Sequence, residues 1–494
     1  MSVLVLDIGT TSMRGILYDH QGHKLSVCQL PNRVLARPDG WVTEPAADWE
    51  ENTVRIIQSI ISDSRTDKNE IEAVAISSQR SSIIPVDREG KPLMDAIMWQ
   101  DTRNKKICDE LEQYNAECFR RTGSFVNSVF SGTKMTWVRR ECPDLYSQVY
   151  KFVNIPEFIN LKMTGEYSSD YTYASRSGLM NLVAKDWDPE MLRIYEVDRE
   201  KLCTLYEPGS IVGRVSSQFE QRTGLPAGTP VIHCGGDQQC AAIGQGVTEE
   251  GNISIVLGTG AFLIAASCSV PENLTADVIC NASSIRDNYI LEANVLACSA
   301  AFDWFAHQMY GMEEIDYQFL EQEMIRNSRG TDCLVIPYFE GRGAPDWNAG
   351  TRAAFTNVSL GTTRGEMLTS MMEGIFMEIA NHIDNISKYV KAKEVYVSGG
   401  MAANKTIVQM LTDVLGRKII IPEDSETTAF GAYMIAMTGL GHYKSAGEAY
   451  GLLTKNALRQ IYLPDLKRYD MFVKKRQAMN SCYENNREFT VTWK

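Results

Sequence analysis

Residues 3–22 read VLVLDIGTTSMRGILYDHQG. An unbroken apolar run, VLVL, delivers an aspartate, a glycine and three small hydroxyl residues to one point, and a second run, RGILYD, leads away from it. A strand that is apolar at successive positions is buried on both faces, and a glycine between two such strands marks a tight turn. After the turn at HQG the segment HKLSVCQL supplies a third strand, so the chain opens on a β-meander whose first hairpin carries DIGTTS at its tip. Glycine lets backbone N–H groups approach an anion closely, and threonine and serine add hydroxyl donors. Gly9, Thr10, Thr11 and Ser12 are therefore a candidate phosphate cradle with Arg14 as its charge, and a plain tight hairpin is the competing reading. Asp7, at the strand end, suits Mg²⁺ held through water, or a simple turn cap.

Working outward, the same arrangement returns about 250 residues later. GNISIVLGTGAFLIAAS, residues 251–267, is again strand, tip and strand, with Gly258, Thr259 and Gly260 at the tip. Two such hairpins in one chain predict two related lobes, 1–245 and 246–494, whose tips face one another across a ligand. Between them, EPAADWEENTVRIIQSIISDS sets Trp49, Ile56, Ile57, Ile60 and Ile61 at helical spacing, with Asp48 as the expected cap. EIEAVAISSQRSSIIPVD then reads as strand, loop and strand, giving an α/β class. A third glycine turn, EVYVSGGMAANKTIVQMLTDVLG, ends a strand and starts a helix that Gly416 stops. ETTAFGAYMIAMTGLG is a helix of small residues, where backbones approach closely, and the final KRYDMFVKKRQAMNSCYENN reads as a solvated helix.

Composition removes several classes of function. The 494 residues carry a net charge of −13, which argues against a nucleic-acid or anionic-membrane partner. No apolar run approaches the ~18 residues of a spanning helix, and no signal-peptide pattern precedes MSVLVLD, so a cytoplasmic location is expected. The twelve cysteines are scattered without a CxxC pair, which fits a reducing compartment and indicates no zinc site. Cys234 and Cys240 read as small buried hydrophobes. No GxxxxGK[ST] loop, no GxGxxG after the first strand and no HRD or DFG element occurs. A homodimer stays open.

The stretch PVIHCGGDQQCAAIGQG, residues 230–246, brings one acid, Asp237, out of the end of an apolar strand. A carboxylate there can accept the proton of a hydroxyl that attacks a phosphoryl group. It can equally cap a helix beginning at Gln238. His233 is the only nearby histidine, and strand alternation does not bring it to a cleft.

In order and spacing, DIGTTSMR, SSQRSS, MWQDTR, FSGTKMTWV, GGDQQCAAIGQG, LGTGAF, GRGAPDWNAGTRAAF, VSGGMAANK and ETTAFGAY resemble the FGGY carbohydrate kinases over the whole chain. The resemblance implies two actin-like, ribonuclease-H-like lobes with ATP and substrate in the central cleft, and phosphorylation of a hydroxyl of a small sugar or polyol. It further implies that Asp237 is the catalytic base and that Thr10, Thr11 and Arg14 meet the ATP phosphates. Thr259, Gly400 and Asn404, with Gly258, belong by the same matching to the nucleotide site; Arg80, Trp99 and Gln238 belong to the substrate pocket, with Phe262 beside it. The chain departs from the glycerol kinases of that family at two points, having Ser81 where they carry an acid and Val129 where they carry tyrosine. Losing both hydrogen bonds costs a glycerol-sized substrate on the order of 2–4 kcal/mol. A ketopentose, a longer polyol or a sugar acid is the expectation, glycerol the alternative, and a non-catalytic actin-like clamp the reading from another class.

Overall fold

The computed structural model describes residues 1–63, 67–327, 331–422 and 426–486. The opening meander forms as expected: β1 (Ser2–Ile8), β2 (Ser12–Asp19) and β3 (Lys24–Pro31) pair antiparallel in sequence. Three more strands complete a six-stranded sheet: β4 (Ile71–Ser78), parallel to β1, then β5 (Ile211–Arg214) and β6 (Pro230–Gly236), in the order β5-β6-β4-β1-β2-β3. The unbroken VLVL run follows from its position. Leu4, Leu6 and Ile8 pack with Trp49, Ile56 and Ile60 of helix α1 (Ala46–Ser62), while Val3 and Val5 face the other way, toward the second half of the chain.

The second sheet repeats the plan. β7 (Ile253–Leu257) and β8 (Ala261–Ser267) make the second hairpin, followed by β9 (Ile279–Ala282) and β10 (Tyr289–Val295). β11 (Val395–Ser398) lies parallel to β7, as β4 does to β1, and β12 (Ile419–Pro422) and β13 (Arg459–Tyr462) close the order β9-β10-β8-β7-β11-β12-β13.

Two helices lie between the sheets and cross. α2 (Asp237–Gln245) leaves β6 of the first sheet, yet its Ala242 packs with Ile264, Ile290 and Tyr396 of the second. α3 (Thr427–Gly439) belongs to the second half, yet its Ala429, Ala432, Tyr433 and Ala436 pack with Val3, Val5, Ile16 and Ile232 of the first sheet. The small residues of both helices allow this. A Cβ on Gly431 would lie 1.9 Å from the carbonyl oxygen of Cys240, and one on Gly244 2.0 Å from that of Thr427. Cys234 and Cys240 are buried beside this crossing, as small hydrophobes.

Two expectations are corrected. Asp48 does not cap α1; the helix starts at Ala46 after Pro45, so Asp48 falls in the first turn and pairs with Arg33 at 3.0 Å. The terminal helix α4 (Leu466–Asn486) is not a solvated appendage. Phe472 and Met479 are buried in the second-lobe core, Tyr483 packs on Tyr338, and Lys475 forms an ion pair with buried Glu373. Weak amphipathic patterning hid that seam among charged neighbours.

The crossing makes a direct prediction. Gly431→Ala should destabilise the protein by about 1–3 kcal/mol, because backbone rather than a movable side chain blocks the new methyl. Gly451→Ala, in the helix Ala446–Leu453 with nothing within 4 Å, should be neutral or stabilising by up to about 1 kcal/mol. Urea unfolding of the two variants checks both.

Candidate active site

The first loop is braced from beneath. Gly9 N–H donates to Ser12 O at 3.0 Å, closing the hairpin tip. Asn32 Nδ2 donates to Gly9 O at 2.8 Å and Thr10 O at 3.3 Å, and Gln79 Nε2 donates to Gly9 O at 3.2 Å. With those carbonyls held from one side, Thr11 is left exposed and Thr10 and Ser12 half-buried. Trp99 Nε1 donates to Thr10 Oγ1 at 3.2 Å, so a residue expected in the substrate wall touches the expected phosphate cradle. Arg14 reaches across to the second half of the chain, where its Nη1 meets Glu426 Oε2 at 2.6 Å, immediately before α3.

Asp237 owes its place to the two glycines before it. The pairing of β6 with β4 shifts between His233 and Gly235, a bulge that re-aims the strand end. Gly235 there has φ 100°, and a Cβ on it would lie 2.0 Å from Ser284 Oγ. A Cβ on Gly236 would lie 2.4 Å from Arg80 Cδ, so this glycine admits the arginine. α2 begins at Asp237 itself, with Gly236 in the capping position; the carboxylate accepts from the Gln238 N–H at 2.7 Å. Asp237 is thus no cap for a helix starting at Gln238. His233 is fully buried, and burial lowers its pKa to about 3, so it stays neutral and outside the cleft.

Burial raises the Asp237 pKa, against the pull of Arg80, the Gln238 N–H and Arg176. Asp7 is pushed up to about 7, by burial and then by the Asp237 charge, with Arg14 opposing. Two acids therefore share one electrostatic neighbourhood at the ends of β1 and β6. Arg80, whose side chain is 4% exposed, donates to Gln238 Oε1 at 2.9 Å and meets Glu292 Oε1 at 3.3 Å. Arg176 meets the other oxygen of Glu292 at 3.1 Å and lies over Phe130, 4.8 Å from the ring centre. Burial would raise Glu292, but Arg176 and Arg80 hold it below the ordinary glutamate value.

Ser81 is buried in the left-handed region, φ 72°, and its hydroxyl turns to Arg176 O at 3.4 Å. Val129 is fixed by Lys134, which is wholly buried, has its pKa lowered to about 7 by desolvation, and donates to Ser128 O and Val129 O at 2.6 Å each. Asn104 Nδ2 ties the MWQDTRN loop to this segment through Ser128 O and Thr133 Oγ1. Arg103, clasped by Asp101, stacks on Trp41 at 3.9 Å and braces the loop that presents Trp99.

On the second lobe, the carbonyls of Gly258 and Thr259 accept from Ser299 and Cys298 N–H groups, fixing the tip while Thr259 stays exposed. Gly399, at φ 94°, brings the neighbouring turn so close to β7 that a Cβ would meet Leu257 O at 2.4 Å. The turn therefore sets Gly400, exposed, beside the Gly258 tip, and Asn404 caps the helix Lys405–Leu415 through Ile407 N–H at 3.0 Å. Phe262, on β8, is 37% exposed. Asn32, Gln79, Arg176, Glu292 and Glu426 emerge only from the structure. Gln79 lies in the SSQRSS loop and Glu426 opens the ETTAFGAY stretch, with nothing local to single out either side chain, and Asn32, Arg176 and Glu292 lie in stretches with no local signal.

The sequence and the fold are shared by known proteins. Residues 2–244 match the N-terminal domain and residues 253–440 the C-terminal domain of the FGGY family of carbohydrate kinases. The glycerol kinase of Thermococcus kodakarensis is 30% identical over 457 residues, 90% of each chain, and that of Deinococcus radiodurans 30% identical over 459 residues, again 90% of each. Among solved structures, xylulose kinase from Rhodospirillum rubrum superposes with a TM-score of 0.91 at 20% identity, covering 99% of this chain and 100% of that one. Plasmodium falciparum glycerol kinase with ADP gives 0.87 at 24% identity, covering 100% and 99%. The fold is the two-lobed, actin-like one of sugar kinases. The chain belongs to the FGGY family of carbohydrate kinases and is a phosphotransferase with an alcohol group as acceptor. Members of this family use ATP as donor and act on small sugars or polyols. No helix among the described residues is long and apolar enough to cross a membrane.

The acidic pair gives a pH prediction. A carboxyl whose folded pKa exceeds its unfolded one stabilises the fold while protonated and loses that contribution as pH rises through the folded value. In nucleotide-free protein, Asp7 should therefore cost stability progressively from about pH 4 to pH 7. Asp7→Asn should gain on the wild type across that window by about 1–4 kcal/mol, as read by thermal unfolding at stepped pH.

Proposed function

We propose that this kinase transfers the γ-phosphate of Mg-ATP to a hydroxyl of a polyhydroxylated substrate larger than glycerol, a ketopentose, longer polyol or sugar acid, with Asp237 as the base. The observation that carries the reading is the bulged end of β6, which sets Asp237 beside Arg80 and Gln238. In this reading residues 1–245 form the sugar-binding lobe and residues 246–494 the nucleotide-binding lobe. Arg80 and Gln238 hold the sugar hydroxyls against the indole of Trp99, and Phe262 covers them from the second lobe. Thr10, Thr11, Ser12 and Arg14 receive the phosphates from one side, and Gly258, Thr259, Gly400 and Asn404 hold the nucleotide from the other.

Asp237 accepts the hydroxyl proton as the oxygen attacks in line, and its raised pKa brings its basicity nearer to the working pH. The described residues contain no cluster of three metal-ligating side chains, and one buried, electrically crowded acid, Asp7, suits a cation held mainly by phosphates and water. Mg²⁺ there supplies charge neutralisation of the phosphates. The preference for a larger substrate is supported by Ser81, whose hydroxyl is turned to Arg176 O, and by Val129, which offers no hydroxyl. Glycerol is the second reading, favoured by the glycerol kinases at 30% identity.

Asp237→Asn should bind ATP normally and lose about 10²–10⁴-fold in kcat. A coupled ADP-release assay over glycerol, erythritol, xylulose, ribulose and gluconate should give its highest kcat/KM with an acceptor other than glycerol. Glycerol at the top of that panel would make the two departures neutral to specificity.

A further inference from the structure

Arg80 and Arg176 both belong to the first half of the chain, and both depend on a carboxylate from the second. Arg80 is almost completely enclosed and its other hydrogen bond goes to a neutral amide, Gln238. Arg176 has its pKa lowered to about 10 by burial, with the Arg80 charge adding to the effect, and among the described residues its Nε has no partner. Each guanidinium takes one oxygen of Glu292, at 3.3 and 3.1 Å, and the Glu292 side chain is 11% exposed. Glu292 stands on β10, opposite Ile264 of β8 and Ile279 of β9, so the second sheet fixes its backbone from both sides.

We propose that Glu292 is a positioning residue of the sugar site, through which the second lobe sets the direction of Arg80. The inference rests on the reading of Arg80 as a sugar ligand. Two buried like charges repel, and one carboxylate between them offsets that repulsion while fixing where each fork points. Because the carboxylate stands on a strand of the second sheet while Arg80 follows β4 of the first and Arg176 ends the helix Tyr171–Ser175, the fork that receives the sugar is correctly aimed only when the lobes stand in this mutual position. Sugar that binds the aimed fork favours this arrangement over any with the lobes apart, since a ligand shifts an equilibrium toward the state it binds better. Nucleotide, read as held by Thr10, Thr11 and Arg14 on one side and Thr259 and Gly400 on the other, makes no use of the fork, so its binding answers to where the lobes stand and not to where Arg80 points.

Steady-state kinetics of the full chain, with the best acceptor of the five-compound panel, test this. Glu292→Gln keeps the shape and an acceptor oxygen but removes the charge; it should raise the acceptor KM about 10- to 100-fold and leave the ATP KM within about twofold. Glu292→Asp should fall between it and the wild type. An ion pair that merely fastens the lobes would raise both KM values together, and that result, or an unchanged acceptor KM, overturns the proposal. Should Glu292→Gln not fold, Arg176→Gln approaches the same triad from the first lobe: a raised acceptor KM with unchanged ATP KM supports the proposal, and no change overturns it. Near-normal turnover in Asp237→Asn would overturn the underlying reading instead, whereas an inactive Asp237→Asn beside a kinetically normal Glu292→Gln would overturn this inference alone.

Discussion

The backbone contact between α2 and α3 is the constraint on which the remaining architecture depends. At Gly244 and Gly431 the two helices meet with no side chain between them, so their separation and crossing are set by peptide groups that have no room to yield. Each helix is fastened to the sheet of the opposite half, α2 through Ala242 and α3 through Ala429 and Tyr433. Each also begins at a charged residue of the site. Asp237 opens α2, and Glu426, which meets Arg14, stands one residue before α3. One tight crossing thereby orients two sheets and aims two acids.

Charge in the site is arranged so that few groups are free to choose partners. Arg80 is confined by Gly236 behind it and committed to Gln238 and Glu292 in front. Asp7 and Asp237 stand at the ends of two strands separated in the sheet by β4; the Asp237 charge adds to the burden on Asp7, and Arg14 relieves only part of it. Such a site is electrostatically unsatisfied by itself, and in the proposed reaction a cation with its anionic phosphates, or a hydroxyl ready to give up a proton, is what relieves the strain. Stability has been given up locally where chemistry is to be done.

What the sequence discloses is whatever local pattern encodes. The meander, both hairpin tips, the strand into Gly235 and Gly236 and the small-residue helix at 427 were legible because doubly buried strands, tight turns and close helix approach each demand particular residue types nearby. Asp48 was misplaced because Pro45, which starts the helix, lies just upstream and left the acid in the first turn. The pairs that organise the site were not legible: Arg80 and Glu292 are 212 residues apart, Arg14 and Glu426 412. Glu292 sits in NYILEANVL, which reads as an ordinary strand with two polar positions, Glu292 and Asn294. Its significance is created by the docking of two sheets.

The exchange of α2 and α3 between the halves also bears on how the chain is assembled. Val3, Val5, Ile16 and Ile232 form one face of the first sheet; Cys240 and Ile243 of α2 cover part of it, and the rest waits until Ala429 to Ala436 have been made, some four hundred residues after the first strand leaves the ribosome. A nascent chain ending near residue 245 would have its six strands without the cover of α3, an adhesive surface of the kind that chaperones hold. The two lobes look separable on a sheet diagram, yet they mature together, and the last cover to arrive is the helix that also brings Glu426 to Arg14 beside the first hairpin tip.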